Sequence, residues 1–216
     1  TQELLKILRK LYSCFPALEK VTVYAGPRST LAKSLDELKE LHAAGLSRAY
    51  LGVESGSDQV LSFIHKGVNA QQMLEAGQRL VEAGIDLWTT VILGLTGARG
   101  EGGDWREHIL ATADITNKMK PRHLSAMTFA PAKGTPLGED VLAGRFQVCS
   151  PEHILEECRL LIEHLNVNPL HFTSNHASNY LPLKGGLPED REKFLSLIDQ
   201  ALAGKIQLRK TLDRGI

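Results

Sequence analysis

The segment YLGVESGSDQVL, residues 50–61, combines strand-forming residues with groups that could bind a ligand. It opens on residues typical of a β-strand and then brings a carboxylate, hydroxyls and glycines close together. Ser57 or Asp58 could cap a helix, and that use requires no ligand. Glu54 stands on the last residue of the strand, where a partly buried carboxylate needs partners. Glu54 is therefore the main candidate for a ligand contact.

Polar residues and glycines also mark the ends of the other predicted strands. Chemistry in βα barrels sits at the C-terminal ends of strands, so these residues would face one common mouth. Each has a simpler interpretation as well. Arg28 could be a solvated loop residue, Thr90 a hydroxyl tolerated within a core strand, and Gly94 a bend rather than a place where a flat ligand approaches the backbone.

The elements that would position these residues alternate between strand and helix. The apolar periodicity predicts the strands Val21–Ala25, Arg48–Val53, Leu87–Leu93 and Leu124–Phe129, with a further strand at Leu170–Thr173. Helices are predicted over 2–13, 31–45, a short segment after Ser57, a longer one ending at Gly84, 104–119, 151–165 and 188–203. Residues 131–146 are predicted to form a loop with at most one helical turn.

This alternation indicates an α/β fold with a parallel sheet covered by helices. Neither GxGxxG nor GxxxxGK[ST] occurs, so the sequence lacks the phosphate-binding motifs that would indicate a dinucleotide-binding or P-loop fold. We expect a partial (β/α) barrel. Four strong units cannot close an eight-stranded barrel, so the sheet is either open or completed by strands upstream of Thr1.

The bulk composition narrows the class of protein. The 216 residues are 43% hydrophobic and 23% charged with a formal net charge of zero, which gives no global basic field for nucleic acid. No apolar run is long enough for a transmembrane helix. Cys14, Cys149 and Cys158 are odd in number and far apart, which fits a reducing cytoplasm rather than a disulfide framework. No histidine spacing indicates a metal site.

Several of these segments resemble one known family. GVESGSDQVLSFIHKG resembles the fourth-strand segment of radical S-adenosylmethionine (SAM) enzymes, in the branch of anaerobic coproporphyrinogen dehydrogenases, tRNA methylthiotransferases and Elongator-type proteins. TTVILGLTG resembles the fifth-strand segment, with Thr90 in place of a glycine and Gly97 in place of a glutamate, and FAPAKGTPL the sixth. The resemblance covers about residues 20–137 and implies a partial (β/α)6 barrel with SAM across the strand mouths.

The resemblance implies roles for individual residues. Glu54 would hydrogen-bond the SAM ribose hydroxyls, and Lys66 would face the methionyl carboxylate, which a cation complements. Thr90 would lie near the ribose. The full implied set of cofactor-binding residues is Glu54, Ser55, Lys66, Thr90, Ile92, Gly94 and Ala130, of which Ile92, Gly94 and Ala130 would border the adenine.

One departure from the family is large. The cluster-binding CxxxCxxC loop is absent from the sequence, and [4Fe–4S] ligation needs cysteine thiolates. We interpret the chain as a piece that lacks the first one or two βα units, with 1–145 as part of the barrel and 146–216 as a helical and extended region packed on it. The parent would carry the cluster, take one electron from a flavodoxin or ferredoxin and act through a 5′-deoxyadenosyl radical on an unknown substrate.

Two alternatives remain at this stage. The chain could be a metal-free βα-barrel enzyme that uses Glu54 as general base and Lys66 or Arg28 as electrophile. It could also be a ligand-binding module without catalysis. No catalytic residue and no metal ligand are assigned from the sequence, and the fragment alone is expected to be inactive.

Overall fold

One six-stranded sheet organises the chain, in a computed structural model that describes residues 1–210. The strands lie side by side in sequence order, and the first five are parallel whereas the last pairs antiparallel with the fifth. Their bounds are β1 Val21–Ala25, β2 Leu46–Glu54, β3 Asp86–Leu93, β4 His123–Thr128, β5 Leu170–Thr173 and β6 Lys184–Leu187. The predicted α/β fold with a parallel sheet in a partial barrel is confirmed.

Helices connect the strands and cover one face of the sheet. They are α1 Gln2–Cys14, α2 Pro27–Leu31, α3 Leu35–Ala43, α4 Asp58–Phe63, α5 Ala70–Glu82, α6 Trp105–Met119, α7 Pro136–Leu142, α8 Pro151–His164 and α9 Arg191–Leu202. Capping boxes begin two of them, at Ser34 with Glu37 and at Asn69 with Gln72. The helices α5, α6, α8 and α9 pack in a row, so the order of the strands is repeated in the outer layer.

The two faces of the sheet differ in burial. Along β3, Leu87, Val91 and Leu93 are buried beneath helices, whereas the alternate residues Trp88 and Thr90 are only half-buried. Successive side chains of a strand point to opposite faces, so the second set lies on a face without a helical cover in the described residues. We call this the open face of the sheet, and it carries the candidate site.

Three local predictions need correction. The helix predicted over 31–45 begins only at Leu35, where Ser34 caps it, and the separate helix Pro27–Leu31 before it was not predicted. The predicted loop contains α7, a seven-residue helix whose first turn is capped by Thr135 and opened by Pro136. The strand β6, with the sequence KGGL, was missed because nothing in its composition favours a strand. It exists by pairing with β5.

The predicted division at residue 145 stays a prediction. Both β5 and β6 belong to the region after this boundary, and they continue the same sheet. Residues 211–216 of that region lie outside the described part of the chain. No helix within residues 1–210 is long and apolar enough to cross a membrane.

Candidate SAM-binding site

The backbone at the end of β2 determines where Glu54 points. Gly52 pairs with Thr90 and Glu54 with Val91, so Val53 is an extra residue on one strand and makes a β-bulge. Glu54 has φ +64°, and the Ser55 amide donates to the Val53 carbonyl at 2.8 Å. This is a γ-turn of the rare positive-φ form, which is strained for a residue with a side chain.

The Glu54 carboxylate forms an ion pair with Lys66. Lys66 Nζ donates to Glu54 Oε1 at 3.0 Å, and the two side chains are 21% and 19% exposed respectively. Lys66 follows α4, where its amide donates to the Leu61 carbonyl and the positive-φ residues His65 and Gly67 turn the chain. The turn brings the cation back across the end of β2.

Gly52 gives this ion pair its space. A Cβ atom on Gly52 would lie 2.3 Å from Glu54 Oε1 and 3.3 Å from Lys66 Nζ. Gly52 does not have a positive φ, so no turn requires a glycine at this position. A glycine is needed because the Glu54 and Lys66 side chains lie too close to the backbone for a Cβ atom. Arg28 lies beside the same loop, with Nε donating to the Gly67 carbonyl at 2.9 Å.

Ser55 faces the opposite way, into the protein. Its hydroxyl lies 2.8 Å from His108 Nδ1 on α6 and accepts a hydrogen bond from the Ser57 amide. His108 Nε2 is 3.2 Å from the Ile92 carbonyl, so the ring donates there and Nδ1 accepts from Ser55. Burial lowers the pKa of His108, which keeps the ring in this neutral form. The network holds the ends of β2 and β3 against α6.

The Glu54–Lys66 pair stands on the rim of a cleft of about 950 Å³ on the open face. A volume of this size is in the range of small-molecule and cofactor sites. The lining combines aromatic rings with hydroxyl and amide groups from all six strands and nearby loops. It includes Tyr50, Gly52, Glu54, Lys66, Trp88, Thr90, His123, Ser125, Met127, His171, Thr173, Asn175 and Lys184.

A row of rings crosses the floor of the cleft at one register level. Tyr24, Tyr50, Trp88, His123 and His171 come from β1 to β5 in order, and each is paired with the next. The centroid separations along the row are 5.5, 5.6, 4.1 and 5.1 Å. Such contacts stabilise cross-strand neighbours and line the floor with aromatic and imidazole rings.

His123 is held neutral within this row. Burial, together with the neighbouring His171 and Arg48, lowers the pKa of His123 to about 4. Its Nε2 atom lies 3.1 Å from the Thr173 hydroxyl. At neutral pH the ring therefore offers the cleft a hydrogen-bonding group without a charge.

The structure brings three of the sequence-predicted residues together at the cleft: Glu54, Lys66 and Thr90. The other four lie around it. Ser55 is buried behind the rim, and half-buried Ile92 follows Thr90 on the same face of β3. Ala130 is half-buried in the loop after β4.

Gly94 faces α8 and not the cleft. A Cβ there would lie 2.7 Å from Ile154 Cδ1, and its amide donates to Glu157 Oε2 at 2.7 Å. The close approach that a glycine permits is thus used by a helix packed outside the sheet. Direct contact of Ser55, Ile92, Gly94 or Ala130 with a ligand stays a prediction.

Sequence reasoning missed the aromatic floor. The signal for it lies in the alternation within the strands and not at their ends: Tyr50-x-Gly52-x-Glu54, Trp88-x-Thr90 and His123-x-Ser125 each repeat with period two. Polar and aromatic residues on one face of otherwise apolar strands could have indicated that this face is open to solvent or ligand.

The residues fit the two cofactors of the expected family unequally. A carboxylate and an ammonium group on a cleft rim match the hydroxyls and carboxylate of SAM. The cysteines do not match a [4Fe–4S] site, because no CxxxCxxC occurs, Cys14 is exposed on α1, and Cys149 and Cys158 are buried at α8.

Comparison with known proteins gives one family. The model of the Radical SAM superfamily matches residues 1–113. An uncharacterised methyltransferase of Pyrococcus horikoshii is 28% identical over 105 residues, which are 49% of this chain and 22% of that protein.

Two solved structures share the fold. The archaeal Elp3 of Methanocaldococcus infernus with an N-terminal deletion has a TM-score of 0.56 at 16% identity, covering 86% of this chain and 42% of that one. Methylornithine synthase (PylB) has a TM-score of 0.53 at 15% identity, covering 76% and 44%. The chain spans less than half the length of each of these relatives.

Proposed function

The chain belongs to the radical SAM superfamily, and from that premise we propose that it forms part of a SAM-binding wall with Glu54 and Lys66 as the charged contacts. Membership of a superfamily of enzymes implies SAM and a [4Fe–4S] cluster as cofactors and supports the general radical SAM reaction. The observation that carries the residue assignment is the Glu54–Lys66 pair on the rim of the open-face cleft.

The chemistry of the pair suits SAM. A carboxylate accepts hydrogen bonds from two neighbouring hydroxyls, as on a ribose, and an ammonium group binds a carboxylate, as on the methionyl end. Glu54 and Lys66 neutralise each other, so neither charge is buried without a partner. The strain at Glu54 supports a ligand role, because strained backbone is retained where the surrounding structure holds a functional side chain in place.

The remaining assignments follow from this placement. Thr90 lines the cleft on the neighbouring strand and would lie near the ribose. Ile92 and Ala130 would border the adenine, and Gly94 would do so only through its Cα and carbonyl, because its amide is bonded to Glu157 on the α8 side. Ser55 would hold the rim from behind through His108. The substrate, a small molecule whose identity is open, would occupy the cleft above the aromatic floor.

The cysteines of this chain do not fit the cluster, so no reaction step is assigned to these residues. In the superfamily the cluster supplies the electron that cleaves SAM to a 5′-deoxyadenosyl radical. We propose that the cluster ligands of the whole protein are residues other than the three cysteines of these 216 residues, and that it receives its electron from a flavodoxin or ferredoxin in the cytoplasm.

Ligand-observed NMR with SAM and with adenosine tests the binding site in the 216-residue chain. Affinity should be weak, because no cluster anchors the amino and carboxylate groups, and adenosine should compete with SAM. Glu54→Gln and Lys66→Met should each weaken binding by about 10-fold or more, since a hydrogen bond to a charged group contributes about 1.5–3 kcal/mol. Glu82→Gln, an exposed change on α5, is the matched control.

Equal SAM affinity in Glu54→Gln, Lys66→Met and the control would overturn the site assignment. A second measurement concerns turnover. The chain incubated with dithionite and SAM should release no 5′-deoxyadenosine, and release of that product would contradict the statement that its own residues hold no cluster.

A further inference from the structure

Three potential metal ligands meet at the start of α8, outside the cleft. Cys149 precedes the helix, and His153 and Glu157 follow at intervals of one helical turn. The Cys149 Sγ atom, a His153 ring nitrogen and a Glu157 carboxylate oxygen all lie within 4.8 Å of one another. His153 and Glu157 are four residues apart and share one face of α8. Cys149 lies one residue before the N-cap Ser150, and its Sγ atom reaches the same side.

Burial makes this cluster different from a surface ion pair. The side chain of Glu157 is fully buried, Cys149 is 7% exposed, and the side chain of His153 is 22% exposed. A buried carboxylate is costly unless its charge is compensated. One of its oxygens, Oε2, accepts a hydrogen bond from the Gly94 amide at 2.7 Å.

The other carboxylate oxygen is the observation that points to a ligand. Glu157 Oε1 lies 3.2 Å from His153 Nε2, an ion-pair distance, but the two atoms do not meet in hydrogen-bonding geometry and neither has another hydrogen-bond partner among the described residues. A buried carboxylate oxygen and an imidazole nitrogen at this separation are arranged as two ligands of one ion would be. Bonds of about 2.0–2.2 Å to nitrogen and oxygen at a tetrahedral centre place these atoms about 3.3 Å apart.

We propose that Cys149, His153 and Glu157 bind one divalent transition-metal ion of the Zn²⁺ class. Thiolate and imidazole ligands favour such an ion over Mg²⁺ or Ca²⁺, which prefer oxygen alone. Three protein ligands leave a fourth position for water, reached past the partly exposed His153 ring. The ion neutralises the buried Glu157 charge and joins the start of α8 to the end of β3 at Gly94.

The surroundings are suited to hold these ligands in place. The Gly94 amide orients the carboxylate through its second oxygen, as partners of metal ligands commonly do. The His153 ring packs edge-on against Trp105 with centroids 5.2 Å apart. Ser150 caps α8 by accepting from the His153 amide, which fixes the first turn between Cys149 and His153. The site lies on the outer side of the sheet and is separate from the proposed SAM cleft.

Metal titration of the 216-residue chain tests the proposal. Chain freed of metal should bind one equivalent of Zn²⁺ in competition with a chromophoric chelator, and Co²⁺ should give a thiolate-to-metal charge-transfer band. Cys149→Ser should abolish this band and weaken Zn²⁺ binding by about 100-fold or more. Loss of a residue that only hydrogen-bonds a metal ligand weakens metal binding by about 10- to 100-fold, so a larger loss is expected for a direct ligand. Zn²⁺ should also raise the melting temperature of the wild type but not of Cys149→Ser.

Controls separate this site from other cysteines and from loss of fold. Cys158→Ala changes a buried cysteine next to Glu157, and Cys14→Ser an exposed one; both should keep the cobalt band. Glu157→Gln provides a second ligand variant, and circular dichroism shows which variants are folded. Failure of the folded wild type to bind Zn²⁺, or binding that survives Cys149→Ser, would overturn the proposal. None of these readouts depends on SAM.

Discussion

The Ser55 hydroxyl lies 2.8 Å from Nδ1 of His108, and both side chains are fully buried. Ser55 adjoins Glu54 in the chain, so one residue turns toward the cleft while the next anchors the turn to α6. The Ser55 hydroxyl also accepts a hydrogen bond from the Ser57 amide, so the start of α4 is held at the same position. The rim of the cleft is thereby positioned by a network of buried groups.

Ser55→Ala should destabilise the chain by about 1–3 kcal/mol, because it leaves a buried imidazole nitrogen and the Ser57 amide without their partner. Urea unfolding measures the loss. Ser62→Ala, an exposed serine on α4, should change the unfolding free energy by less than about 0.5 kcal/mol. Equal effects of the two changes would show that the His108 contact contributes nothing.

Glu54→Gly should leave the chain more stable than Glu54→Ala by about 1 kcal/mol. Both changes remove the carboxylate and the ion pair, but alanine keeps a Cβ in the positive-φ turn whereas glycine adopts it without strain. Thermal or urea unfolding of the two variants makes the comparison. Equal stability, or a more stable alanine variant, would mean that the turn stores no strain. Neither variant should retain the SAM affinity of the wild type.

Gly52→Ala should weaken SAM binding by about 10-fold, the cost of one charged hydrogen bond, because the new methyl group would displace the Glu54–Lys66 pair. Ligand-observed NMR or equilibrium dialysis measures the change. Gly186→Ala in β6 is the control, since its Cβ would meet only the Glu189 carboxylate at 3.5 Å. An unchanged affinity in Gly52→Ala would contradict the role given to the pair.

His123 should make stability fall as the pH is lowered from about 6.5 to 4. Burial lowers the pKa of His123 in the folded chain to about 4, below the 6.5 of an exposed histidine, so the unfolded chain binds more protons in this window. The loss should reach at most about 3 kcal/mol, complete once the pH is below the folded pKa.

Urea unfolding at pH 7 and pH 4.5 compares the wild type with His123→Asn. The variant should show the weaker pH dependence, although the buried His108 ring, whose pKa is also lowered, keeps part of it. His164→Gln, a change at an exposed histidine, should keep the wild-type dependence. The same slope in His123→Asn as in the wild type would contradict the assignment.

Local patterns were enough to predict most of the fold. The alternation of apolar strands and capped helices predicted five of the six strands and the parallel sheet, because both signals depend on residues close in sequence. The strand β6 escaped prediction because a Lys-Gly-Gly-Leu segment has no intrinsic preference and extends only when β5 is beside it.

The candidate site divides in the same way. Glu54 and Lys66 could be identified from the strand end and from the resemblance, since both lie in one continuous motif. Their ion pair could not, because Lys66 reaches Glu54 only through the turn that His65 and Gly67 make after α4, and no local pattern gives the path of that turn.

The sequence by itself determined that this is a parallel α/β chain of the radical SAM type, with a carboxylate at the end of its second strand and no cluster-binding loop. Only the tertiary structure decided which residues meet. In the folded chain Ser55 is buried against His108, and Gly94 contacts α8. A row of rings crosses five strands, and Cys149, His153 and Glu157 lie close together. Those contacts join residues from separate elements, and strand register and helix packing, which no local pattern encodes, set their distances.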